Sequence, residues 1–269
     1  MKKLNIVLCA LIATCVSLPA LAAKDTPMGT VYTTNGAQVR GALRWRNSAK
    51  EYTLTNDKNM TVTYKADEVE RVEVDRPASL DAAIKKVQAN SGVASVIPTL
   101  EGLIKDYSHL TYDQEAAGWL ARAYLLQDNA SKAISTCEAV IRDTPEAAYK
   151  GTTAVAYWDA LIKDGKAAKL NLLLDKAIAS GDKTAAATAL VKRGDAIMAR
   201  GSSRGNCEEA LRDGYLRVIL LYADEREAYA EALYKGAKAF DGMSQSSRAA
   251  RLREQLKQEC PTSSWARAK

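Results

Sequence analysis

One histidine, five cysteines and a plentiful set of carboxylates are the side chains of this 269-residue chain that could do covalent or acid–base chemistry. A Ser-His-Asp or Cys-His site needs an imidazole beside its nucleophile, and only His109 could supply it. His109 sits in Tyr107-Ser108-His109-Leu110, a loop between two predicted helices, with no catalytic partner set gathered around it in sequence. A lone histidine also leaves nothing from which to build a histidine-based metal site. No Cys-x-x-Cys pair, Walker loop or Gly-x-Gly-x-x-Gly run occurs; Gly181-Asp182-Lys183-Thr184 has the residues of a capped turn between helices. The carboxylates lie on helical faces among Lys and Arg, the pattern of a solvated, charge-laced surface. No catalytic residue, metal or cofactor is expected.

The beginning of the chain has the three zones of an export signal. Met1-Lys2-Lys3 is positive, residues 4–18 are mostly apolar, and Pro19-Ala20-Leu21-Ala22 supplies the small residues of a cleavage site before Ala23. The apolar stretch is shorter than the roughly 20 residues a membrane-spanning helix needs, and charges interrupt every later apolar run. Residues 1–22 are therefore read as a signal peptide and the product as periplasmic or secreted. The alternative is a lipoprotein anchored through Cys15, in Ile12-Ala13-Thr14-Cys15. Lys2 and Lys3 leave with the signal, so the formal charge of +6 falls by two. That mild excess is spread along the chain, without the concentrated patch of a nucleic-acid binder. Cys137, Cys207 and Cys260 remain, an odd number that leaves at least one thiol unpaired within a monomer. Cys137 is expected to be a buried apolar filler.

Two hydrophobic periods divide the rest. Across 28–76, runs rich in Val, Thr and Tyr at 31–33, 39–46, 51–55, 60–64 and 69–74 predict five strands. Asn35-Gly36 predicts a tight type I′ hairpin. In the second strand Val39, Gly41, Leu43 and Trp45 point one way, and Arg40, Ala42, Arg44 and Arg46 the other. The cadence GTVYTTNGAQVRGALRWRN…YTLTN…VTYKADEVERVEV resembles a small SH3-like or Sm-like barrel. A basic strand face of Arg40, Arg44 and Arg46 could touch phosphates in such a barrel. Export turns that expectation from nucleic acid towards an anionic envelope surface or plain solubility.

After Arg76-Pro77-Ala78-Ser79 the period becomes 3.6 and persists to the end. Amphipathic helices are predicted over 80–90, 93–107, 112–127, 131–142, 145–163, 166–180, 184–200, 207–222, 225–241 and 246–259. Short connections force neighbours into antiparallel pairs. Residues 114–147 carry Leu120, Ala121, Tyr124, Ala133, Val140 and Pro145 at the offsets of a 34-residue helix–turn–helix repeat. From Ala230 onward, Leu233, Ala237, Phe240, Ala249, Leu256 and Pro261 fall at corresponding offsets, with Arg253 where an apolar residue is usual, as suits a capping repeat.

These two stretches resemble the tetratricopeptide repeat (TPR) family, and the C-terminal one is similar in cadence to repeats of bacterial envelope proteins of the Tol-Pal coordinator and outer-membrane assembly lipoprotein type. The resemblance implies a mainly α fold: a TPR-like solenoid of helical hairpins over 77–269, preceded by the five-stranded barrel-like module. It implies a concave surface lined by the first helix of each pair, which places Arg122, Leu125, Leu126, Glu231, Tyr234 and Lys238 on a partner-binding face. Leu125 and Leu126 either line that face for a peptide or pack on neighbouring hairpins. Cys207 and Cys260 then lie a helix length apart, beyond the reach of a disulfide. The implied function is a non-enzymatic envelope adaptor holding a protein or peptide. An envelope-assembly or cell-wall component, or an unfamiliar hydrolase, are the alternatives.

Overall fold

The computed structural model describes residues 26–268. The segment expected to be a signal peptide, its expected cleavage point before Ala23 and Cys15 lie outside them. The chain is mostly helical, with a small five-stranded antiparallel sheet ahead of the helices. Strands β1 (Met28–Thr33), β2 (Gln38–Arg46), β3 (Glu51–Thr55), β4 (Thr61–Lys65) and β5 (Val69–Val74) are arranged in the order β4-β3-β2-β1-β5. The alternation along β2 is as its residues dictate: Gly41 and Leu43 are buried, while Arg40, Arg44 and Arg46 are exposed.

The barrel expectation is corrected, because the sheet stays open between its edge strands β4 and β5. Only β1, β2 and β3 bury large apolar side chains completely, through Val31, Leu43 and Leu54. Those three belong to the same apolar cluster as Leu80, Leu100 and Leu120 of the helices. The apolar face of the open sheet is therefore continuous with the helical core. The hairpin between β1 and β2 is also wider than a type I′ turn. Gly36 alone takes a positive φ, +87°, and the Thr33 N–H reaches the Ala37 carbonyl at 2.9 Å.

Arg76 fastens the sheet to the helices. Its guanidinium donates twice to Glu115, at 2.7 and 2.8 Å, and once to Asp81, at 2.8 Å. Trp45 of β2 adds ring contacts to Tyr52 (4.7 Å between centroids) and to His109 (5.5 Å). His109 thus acts as packing at the joint, in a loop where it and Thr111 both hold positive φ.

The helices are α1 (Ala78–Gln88), α2 (Val93–Asp106), α3 (Tyr112–Leu126), α4 (Ala130–Asp143), α5 (Gly151–Lys163), α6 (Ala167–Ala179), α7 (Lys183–Met198), α8 (Arg204–Ala210), α9 (Leu216–Leu221), α10 (Arg226–Gly242) and α11 (Ser246–Glu259). Two predicted helices are interrupted. Residues 145–163 divide into a 3-10 turn, Pro145–Ala148, and α5, because the chain turns at Gly151 with φ +76°. Residues 207–222 contain a π-helical turn, Leu211–Tyr215, between α8 and α9.

Non-sequential helices touch as well as sequential ones: α3 packs on α5, α5 on α7 and α7 on α10. Small residues permit these approaches. A Cβ at Gly118 of α3 would lie 2.8 Å from the Thr152 carbonyl carbon of α5, and one at Gly214 would lie 2.8 Å from backbone atoms of α7. Four of the offsets common to the two repeat matches are buried, Ala121/Ala237, Tyr124/Phe240, Ala133/Ala249 and Val140/Leu256, while Pro145 and Pro261 are exposed. Two large apolar clusters meet at α7, which contributes Ala189 to one and Ala187, Leu190 and Val191 to the other.

Gly118→Ala should lower stability by about 1–3 kcal/mol through overpacking against backbone. Gly102→Ala, in α2 with open space around it, should raise stability by up to about 1 kcal/mol through helix propensity. Denaturant midpoints of the two variants check this opposition of sign.

Candidate functional site

The face shared by α3, α5, α7 and α10 collects the polar side chains with the most organised surroundings. At one end, the N-terminal turns of α5 and α7 and the outer side of α3 enclose a cleft of about 420 Å³. Arg122, Lys150, Val155, Trp158, Asp182 and Thr188 are among the residues lining it. Trp158 is buried, and its indole N–H donates to the Ala148 carbonyl at 3.1 Å, so it fixes the 3-10 turn that forms one wall. Asp182 caps α7 by accepting from the Ala185 N–H at 2.9 Å. Arg122 makes no ion pair among the described residues, and its guanidinium lies 4.6 Å from the Trp119 ring. Stacking of this kind holds a guanidinium in place while leaving its N–H groups available.

Further along, charges from three helices interlock. Lys192 of α7 reaches Asp159 of α5 at 2.6 Å and Asp195 at 3.7 Å. Lys235 of α10 reaches Asp195 at 2.6 Å and Glu231 at 2.5 Å. Tyr215, in the π-helical turn, donates its hydroxyl to Asp195 at 2.9 Å. Its ring lies where a side chain at residue 194 would be; the Cβ of any residue replacing Gly194 would meet it at 2.4 Å. Lys192 is only 8% exposed and Tyr215 2%, so the expectation of purely solvated charged faces is corrected here. The spacings Lys192/Asp195 and Glu231/Lys235 look like ordinary surface pairs in sequence. Facing rows from α5, α7 and α10 bury them, and that pairing of helices is a tertiary fact.

Burial alone would lower the Lys192 pKa, but Asp159, Asp195 and Glu231 outweigh it and hold the amine above its ordinary value. Burial, reinforced by the charge of Asp195, pushes the Tyr215 phenol far above the tyrosine range. With three carboxylates, two ammonium groups and a phenol locked to one another, the cluster is a structural tie.

The six residues assigned to the partner face separate into three situations. Arg122 lines the cleft, and Leu126 is 47% exposed near the end of the same helix. Leu125 is half-buried against the main apolar cluster, and its carbonyl accepts from Lys163 at 3.2 Å. Glu231, Tyr234 and Lys238 are already engaged: Glu231 with Lys235, and Tyr234 with Lys238, whose amine sits 4.7 Å from its ring, and with Trp265. The basic strand face is largely neutralised. Arg40 pairs with Asp75 at 2.5 Å and Arg46 with Glu51, leaving Arg44 without an ion pair among the described residues.

Cys137, Cys207 and Cys260 are buried and unbonded. Burial pushes the Cys137 thiol up to about 12, which suits an inert filler. Among the described residues no group of three or more His, Cys, Asp and Glu side chains is placed to hold a metal, and no helix is long and apolar enough to cross a membrane. Comparison with protein-family models, curated proteins and solved structures finds no match for this chain.

Lys192 and Tyr215 both hold their protons more tightly when folded than when unfolded. Each therefore contributes stability that is present below about pH 10, the ordinary range of tyrosine and lysine, and lost as pH rises beyond it. Thermal melts should show the midpoint falling above about pH 10, with a shallower fall in Tyr215→Phe. At neutral pH, Lys192→Met should cost roughly 3 kcal/mol by stranding Asp159, the low end for a broken buried pair because Asp159 is partly exposed and Asp195 keeps Lys235.

Proposed function

We propose that this chain is an exported envelope adaptor that holds a protein or peptide partner along the face made by α3, α5, α7 and α10. Nesting of paired helices into a TPR-like curved stack would create that face, with the first helix of each pair turned towards the partner. The observation that carries the reading is the cleft at Arg122: a cation set on an aromatic ring, without a counter-ion among the described residues, beside exposed Leu126. A cation held ready beside an apolar contact matches an extended segment that presents a carboxylate next to a hydrophobic side chain.

The mechanism is reversible binding with no covalent step. Alternating contacts between successive first helices keep the surface pre-organised, so little ordering cost opposes association. The sheet module, clamped by Arg76 and Trp45, would orient the stack or offer a second contact. In the same reading the mature chain begins at Ala23 and works in the periplasm.

Affinity purification from envelope extract, using the full chain and its Arg122→Glu variant, tests the assignment. The intact chain should retain a discrete partner that the variant releases, with affinity weakened about tenfold or more, equivalent to 1.4 kcal/mol. The melting curve should shift little, because Arg122 is held by a ring contact to Trp119 and makes no ion pair among the described residues. Equal retention by both chains would remove the cleft from the binding surface.

A further inference from the structure

Beyond α11 the chain turns back instead of leaving the molecule. Residues 261–264 form a bend stabilised from the Ser263 N–H to the Cys260 carbonyl at 3.0 Å, and a 3-10 turn, Trp265–Arg267, follows. This segment touches both α10 and α11. It thus lies against the last pair as α5 lies against α3 and α4.

Trp265 makes the attachment. Its ring is 5.4 Å from that of Tyr234, with the Lys235 amine 5.4 Å from its centroid. Its indole N–H donates to Glu227 Oε1 at 3.2 Å. Glu227, Tyr234 and Lys235 all belong to α10, at spacings that place them on one side of the helix. The backbone hydrogen bonds of residues 261–268, among the described residues, run within the segment and to Cys260. Trp265, itself half-buried, packs with Ala266 on the cluster of Tyr229, Leu233 and Leu256, and its indole N–H adds the side-chain hydrogen bond that fixes the segment on α10.

We propose that this end of α10 is a receptor for a tryptophan-bearing peptide segment, and that Trp265 fills it as an internal ligand which a partner displaces. Each contact selects an indole. The ring meets an aromatic neighbour and a cation, for which tryptophan is the best partner, and its N–H meets a carboxylate that phenylalanine could not satisfy. The occupant already in place defines the chemistry of the one that replaces it. The inference rests on the adaptor reading, since it names what binds on the partner face at Tyr234.

The test uses a fluorescein-labelled peptide of residues 261–268 and three forms of the chain: intact, Trp265→Ala, and one ending at Thr262. A tethered ligand competes at an effective concentration near millimolar, so the intact chain should bind the peptide at least roughly tenfold more weakly than either altered form. Tyr234→Ala in the Trp265→Ala background should abolish binding, and a peptide with phenylalanine for tryptophan should bind more weakly. Binding to none of the three forms, equal binding to all, or indifference to Tyr234→Ala would overturn the proposal. The titration needs no cell extract, so its failure is separate from failure of the adaptor reading, which the Arg122→Glu purification decides.

Discussion

Close approach between non-sequential helices is the constraint on which the rest depends. α3 reaches α5 because residue 118 has no side chain, and the π-helical turn reaches α7 because residues 194 and 214 have none. Backbone this close excludes water and brings polar rows on adjoining helices into register. Each of α3, α5, α7 and α10 also packs on the helix that follows it in the chain. α7 is the shared member, with side chains in both large apolar clusters.

Charge follows from that packing. Lys192 is nearly buried, a state that costs several kcal/mol per unpaired ion. It is tolerated because α5 offers Asp159 and α7 itself offers Asp195. The second lysine, Lys235, and the Tyr215 hydroxyl then satisfy the remaining oxygens of Asp195. Apolar replacements of equal volume could match this in stability. What the network adds is register: sliding α10 by one turn would separate Lys235 from Asp195. The same face carries Arg122 at one end and the Trp265 seat at the other. One packing scheme therefore positions both candidate contact points.

Much of this was legible in residue order, for identifiable reasons. The strands of 51–55 and 69–74 follow from β-branched runs, and the exposed arginines of β2 from strict alternation. Helix positions followed from the 3.6 period, and Ala121, Ala133 and Ala237 from small residues at repeating offsets. The open sheet was not legible, because nothing local says that Leu43 and Leu54 will join the apolar cluster of the helices. Gly151 and the π-helical turn were missed, since helical periodicity continues across both. The Lys192 network was missed because its two halves resemble surface pairs until α5, α7 and α10 adjoin. The cleft was half visible: the repeat offsets named Arg122, but its wall at Trp158 depends on the turn at Ala148. Tyr234 was named as a contact residue, while the neighbour that covers it, Trp265, lay beyond the last matched offset.

α7, with side chains in both large apolar clusters, joins the two halves of the helical row into one cooperative unit. Hydrogen exchange of the intact chain and of Leu190→Ala, which removes a fully buried side chain from α7, tests it directly. A substitution of this kind costs about 2–5 kcal/mol, and protection should fall together in α5 and in α10, on both sides of the altered helix. Loss of protection confined to one side would contradict the account, because the halves would then be independent bodies that merely adjoin.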